Sequence, residues 1–175
     1  MKKFMILFSV GKDRPGIVHD VSTFLFEHGA NIEDSRMAAM GGRFSIMTLF
    51  SCSPEQFETI QGDLNHLVNL GFEVSLHEAE DPTTSPKEAA LPLKFEVTAM
   101  DHPGIVRKVV HILHQHNVNI QSLNTQVNRA PLSGAPLFDL NLEADVPADR
   151  SIAKLKEELM DLAAKENLDL DFKRS

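Results

Sequence analysis

Two short segments concentrate the residues able to do chemistry. Asp13-Arg14-Pro15-Gly16-Ile17-Val18 recurs as Asp101-His102-Pro103-Gly104-Ile105-Val106, a shift of 88 positions (101 − 13). In each, a carboxylate precedes a Pro-Gly pair and an apolar run with helical spacing. A helix that opens there leaves the N–H groups of its first turn without intrahelical partners. The glycine permits close backbone approach, so the segment can receive a carboxylate-sized anion. Asp13 and Asp101 offer acceptors to an ammonium group. Asn31 and Asn119, related by the same shift, offer amides that both donate and accept. Such contacts suit a zwitterion. The same residues also have a purely structural use: an aspartate before a helix complements its dipole by ~0.3–1 kcal/mol, and an asparagine can tie down a helix-to-strand loop.

The elements that position these segments repeat with them. The 88-residue shift also maps Val21 onto Val109, Leu25 onto Leu113, His28 onto His116 and Asn31-Ile32 onto Asn119-Ile120. Further along, Phe57, Ile60, Leu64, Leu67 and Val68 have the spacing of Ile152, Leu155, Leu159, Leu162 and Ala163, now shifted by 95 (152 − 57). The seven extra residues (95 − 88) fit an insertion at the Pro/Gly/Ser loop Ala130–Pro136. Between the copies, Asp81–Glu88 is polar and punctuated by proline. Two domains are expected, at 1–79 and 92–175, joined by a linker at 80–91.

Each copy opens with a strand, Phe4–Val10 or the alternating run from Leu93. Pro15 and Pro103 suit the first position of the helix that follows. Gly41-Gly42 marks a hairpin between two further strands, and Ser53-Pro54-Glu55-Gln56 has capping-box spacing before a second helix. Phe72, Val74 and Leu76 close the first copy as a strand, and Leu168, Leu170 and Phe172 close the second. The order βαββαβ, twice, predicts an α+β protein of two tandem ferredoxin-like units, each an antiparallel sheet with helices on one face. Met5 and Leu7 are expected on the face opposite those helices, where Lys94 and Glu96 stand in the second copy. That asymmetry predicts a covered face in the first copy, a solvated one in the second, and a homodimer.

Composition narrows the function. Seventeen basic residues against twenty-five acidic ones give a formal charge of −8. Phosphate neutralisation supplies most nucleic-acid affinity, so direct DNA binding is disfavoured. No apolar run approaches the ~20 residues of a membrane helix, and a cytoplasmic protein is expected. A single cysteine, Cys52, can form no internal disulfide and reads as a buried thiol. His111, His114 and His116 have some look of a metal cluster, but a histidine face is the better reading. Asp169-Leu170-Asp171 fits an edge strand better than a phosphatase nucleophile. No nucleophile–base pair or metal set emerges, so neither an enzyme nor a cofactor is expected.

A strand ending in Asp-x-Pro-Gly-Ile-Val, then a helix, then x-Asn-Ile at the next strand, resembles the ACT domain, and the resemblance covers nearly all of the chain in tandem. That family consists of small regulatory modules that bind amino acids. The tandem arrangement, with no catalytic domain attached, is similar to the glycine cleavage system transcriptional repressor group. In the family the ligand is held by the loop and the asparagine position, often across an interface between two modules. The resemblance thus implies ligand contacts at Asp13, Gly16, Ile17 and Asn31, and at Asp101, Gly104, Ile105 and Asn119. Arg14 adds a positive charge at the first loop, where the second has His102, and so ranks the first copy slightly ahead. The expected ligand is a small amino acid such as glycine or serine, and the expected partner a protein such as a transcription factor. A regulatory subunit that gives a metabolic enzyme feedback control fits the same residues.

Overall fold

The computed structural model describes residues 2–84, 89–130 and 134–173. Residues 85–88 of the expected linker and 131–133 of the expected insertion lie outside them. The chain divides into two compact units, Met1–Pro86 and Lys87–Ser175.

In unit 1, β1 (Lys3–Lys12), α1 (Ile17–Glu27), β2 (Asn31–Met40), β3 (Arg43–Cys52), α2 (Pro54–Gly62), α3 (Leu64–Asn69) and β4 (Glu73–Ala79) follow the expected order. The sheet order is β2-β3-β1-β4, with every pairing antiparallel. Gly41 and Gly42 both take positive φ (58° and 78°), as the tight hairpin requires. At the start of α2 the capping box closes: the Gln56 N–H donates to Ser53 Oγ, and the Ser53 N–H to Gln56 Oε1. The expected second helix is interrupted at Asp63, just after the poor helix former Gly62.

Unit 2 repeats the plan with β5 (Ala90–Met100), α4 (Ile105–Gln115), β6 (Asn119–Arg129), β7 (Pro136–Pro147), α5 (Ile152–Glu166) and β8 (Asp169–Lys173). Its sheet order is β6-β7-β5-β8. Both units are thus ferredoxin-like split βαβ folds. Strand β5 begins at Ala90, within the residues expected as linker. The α1 and α4 helices end alike: the residue in the left-handed region is Gly29 in one and Asn117 in the other, and a 6→1 hydrogen bond follows each. Among the described residues no helix is long and apolar enough to cross a membrane.

Each unit has its own core. Met5 and Leu7 pack with Ile17, Val21, Phe24, Leu25, Ile46 and Phe50 beneath the helices. The expectation that Met5 and Leu7 face away from the helices is therefore wrong: they do lie opposite Phe4, Ile6 and Phe8, but on the helix side. Phe4, Ile6 and Phe8 occupy the open face, paired across the ladder with Ser51, Leu49 and Met47. The open face of the first sheet remains apolar, while that of the second is polar. There Lys94 pairs with Glu143 (2.9 Å), Lys173 with Glu96 (2.9 Å), and Thr98 Oγ1 donates to Asp139 (2.8 Å).

Candidate functional site

The segment after β1 is a tight turn. The Ile17 N–H donates to the Arg14 carbonyl (3.3 Å), and Gly16 has φ 86° and ψ −4°. Those angles, with proline one residue earlier, define a type II turn in which glycine supplies the positive φ. Gly104 repeats them at φ 101° and ψ −3°. Space is not what demands glycine: a Cβ would meet nothing nearer than Arg14 at 3.9 Å or Lys108 at 4.0 Å. Pro15 and Pro103 therefore precede the helix as turn residues, two residues upstream of the first helical position expected for them (17 − 15 and 105 − 103). The helices begin at Ile17 and Ile105.

Neither of these helix starts has a side-chain cap. By contrast, α2 is capped by Ser53 and α5 by Ser151, whose Oγ accepts from the Lys154 N–H. The short α3, which continues from α2 through Asp63, also lacks a side-chain cap, but only α1 and α4 among the uncapped starts follow an aspartate and a Pro-Gly turn. Each loop is also anchored to its hairpin through the aspartate backbone. The Asp13 N–H donates to the Gly42 carbonyl (3.0 Å), and the Asp101 N–H to the Pro136 carbonyl (3.1 Å). Both aspartate side chains remain free, among the described residues, to meet a ligand. The hairpin contribution was not anticipated, because nothing in residues 41–42 or 136 signals it in the sequence.

The asparagines lie elsewhere. Asn31 stands opposite Ser51, which stands opposite Phe4 near the start of β1, whereas Asp13 follows its last residue. Nine residues of strand separate those ends (13 − 4), about 30 Å at ~3.3 Å per residue. Asn119, opposite Asp145, is likewise remote from Asp101. A single unit therefore brings Asp13, Gly16 and Ile17 together, and Asp101, Gly104 and Ile105, but neither asparagine joins its own loop.

The two copies differ in charge. Arg14 Nη2 lies 2.5 Å from Asp20 Oδ2, so the cation that ranked the first loop ahead is already neutralised. Asp20 sits in the first turn of α1; its counterpart is Lys108 (108 − 20 = 88), which pairs with Glu166 at 2.6 Å. That pairing holds the Glu166 carboxyl below its ordinary range. An acid at a helix start complements the dipole internally, while a lysine there leaves the positive end for an outside anion. The Asp20/Lys108 contrast is visible in the repeat and could have reversed the ranking. The asparagines differ too. The Asn31 amide donates to Glu33 (3.0 Å), which also accepts from Ser51 (2.6 Å), and these hydrogen bonds lower the Glu33 pKa. In unit 2, Gln121 instead donates to Asp145 (2.6 Å), and the Asn119 side chain has no hydrogen bond among the described residues.

The remaining chemical groups have structural settings. Cys52 is buried, and desolvation raises its thiol pKa. His116 Nε2 lies 2.9 Å from Glu158, and His28 Nε2 lies 3.3 Å from Asp63; each ties the end of α1 or α4 to the helix beside it. Asp169 and Asp171 lie on β8, with Asp171 paired to Lys173.

Residues 3–77 match the family model for the ACT domain. Over 156 residues the chain is 26% identical to the glycine cleavage system transcriptional repressor of Escherichia coli K12, covering 88% of this chain and 80% of that one. A shorter match, 52% identical over 44 residues, is to a formyltetrahydrofolate deformylase of Bacillus subtilis, of which it covers 15% and of this chain 23%. A crystal structure of a protein of unknown function from Galdieria sulphuraria superposes with a TM-score of 0.83 at 28% identity, covering 100% of this chain and 99% of the other. A second, described as a candidate glycine cleavage system transcriptional repressor, shares the fold with a TM-score of 0.71 at 24% identity, over 99% and 97% of the two chains. With the split βαβ plan in both units and the same aspartate-to-glycine turn in each, the chain carries an ACT-domain match in its first unit, repeats that fold in its second, and is similar over most of its length to the glycine cleavage system transcriptional repressors.

Proposed function

We propose that this regulatory protein is not an enzyme: it binds a small amino acid, glycine or serine, and acts on transcription through a protein partner. The observation that carries the reading is the pair of helix starts without side-chain caps, each behind a type II turn and a free aspartate. First-turn N–H groups suit the ligand carboxylate, and the aspartate suits its ammonium. The second copy ranks ahead because its helix has no acid in the first turn, where Asp20 stands in the first copy; Lys108 itself is paired with Glu166. Asn31 and Asn119 reach such a turn only from another module, and a homodimer supplies one.

The charge of −8 supports action on transcription without DNA contact. Purified protein should give no sequence-specific anisotropy change with duplex DNA at submicromolar concentration, with or without 10 mM glycine or serine. Specific binding by the protein alone would overturn the indirect mechanism. Affinity capture from cell extract separates the two regulatory roles. A transcription factor supports this reading, and a metabolic enzyme replaces it with feedback control of that enzyme.

A further inference from the structure

Helix α4 borders a groove of about 720 Å³, within the ~300–1,000 Å³ usual for small-ligand sites. Its floor is apolar: Ile105 and Phe138 are buried, and Val106 and Val110 are half-buried. Val106 and Val110 follow one another at i, i+4 and so form a continuous strip along the helix. The rim carries His102, Arg107, His111 and His114, and no carboxylate lines the groove. In a chain with a net charge of −8, that is a strong local bias.

Arg107, like Arg129, makes no ion pair among the described residues, whereas Arg14, Arg36, Arg43 and Arg150 each has a carboxylate partner. The nearby Glu166 is engaged by Lys108. The first copy lacks this chemistry. At the positions of Arg107, Val110, His111 and His114 it has His19, Ser22, Thr23 and Phe26, by the shift of 88.

We infer that the groove binds an organic anion with an extended apolar body. The apolar part lies on Val106, Val110 and Phe138. The anionic group meets the Arg107 guanidinium, whose planar fork matches a carboxylate, and His111 and His114 supply further donors. The groove shares Gly104 and Ile105 with the second candidate turn, but this ligand needs no ammonium group and no contact with Asp101 or Asn119, so its binding is separable from amino-acid sensing by the probes below.

Three probes with one apolar body and different charge test it: 4-phenylbutyrate, 4-phenylbutan-1-ol and 4-phenylbutylamine. They are titrated into the full chain with methyl-labelled Ile, Leu and Val, and followed by NMR. 4-Phenylbutyrate should give saturable shifts confined to Ile105, Val106 and Val110. The alcohol should bind at least ten-fold more weakly, and the amine more weakly still. Arg107→Glu should cost 4-phenylbutyrate ten-fold or more while the core methyls of Leu140 and Leu142 stay in place. Should that variant disturb them, Arg107→Gln carries the test, with at least a three-fold loss expected. Equal binding of the three probes, unchanged affinity in the Arg107 variants, or no shift at α4 would overturn the inference. So would shifts of Val106 and Val110 on dilution that 4-phenylbutyrate fails to compete with, since a second copy of the chain would then cover the groove.

Discussion

Asp101→Ala is expected to weaken amino-acid binding roughly ten- to a hundred-fold, the worth of a charge-assisted hydrogen bond of ~1.5–3 kcal/mol. The turn itself should survive. The type II turn at Gly104 is built from backbone angles, and the Asp101 N–H that reaches the Pro136 carbonyl is present in alanine too. Thermal unfolding should therefore change little. Asp13→Ala should have the smaller effect, because Arg14 and Asp20 already satisfy each other at the first loop. Calorimetric titration of both variants checks the pair. A loss of stability with unchanged affinity would make both aspartates turn residues only.

Leu7→Ala should destabilise unit 1 by about 2–5 kcal/mol, the usual cost of emptying a buried leucine site. Phe8→Ala, one residue on, should cost much less, since Leu7 is 0% exposed and Phe8 39%. Urea unfolding of the two variants measures the difference. Equal losses would mean that the open face of the first sheet is as fully covered as its core.

The faces of β1 were not legible for a simple reason. Alternation identifies a buried face when one set of positions is polar, and here Phe4, Ile6 and Phe8 are as apolar as Met5 and Leu7. Within the first copy only the helices decide between them, although the shift of 88, which sets Ile6 and Phe8 at the positions of Lys94 and Glu96, carries the signal. The second copy posed no such problem, because Lys94 and Glu96 mark its open face. Elements with local chemistry were readable throughout. Gly41-Gly42 fixed its hairpin through positive φ, and Ser53 and Gln56 closed their box through contacts three residues apart.

The candidate site was legible as a loop but not as a constellation. Asp13 and Asn31 look like neighbours across one helix in the sequence. Yet the 11 residues of α1 span about 16 Å and carry the chain back along the sheet, so β2 starts at the opposite end. The Arg14–Asp20 pair bridges a turn and the beginning of a helix, a separation of six residues that no simple periodicity flags. A charged residue beside a motif therefore counts as a ligand contact only once its own partners are known.

The central claim is that the aspartate-to-glycine turns receive a small amino acid. Isothermal titration calorimetry of the intact protein, against glycine, serine and a panel of larger amino acids, tests it most directly. Saturable heat is expected with a small amino acid, together with its loss on Asp101→Ala. Silence across the whole panel from folded protein would contradict it.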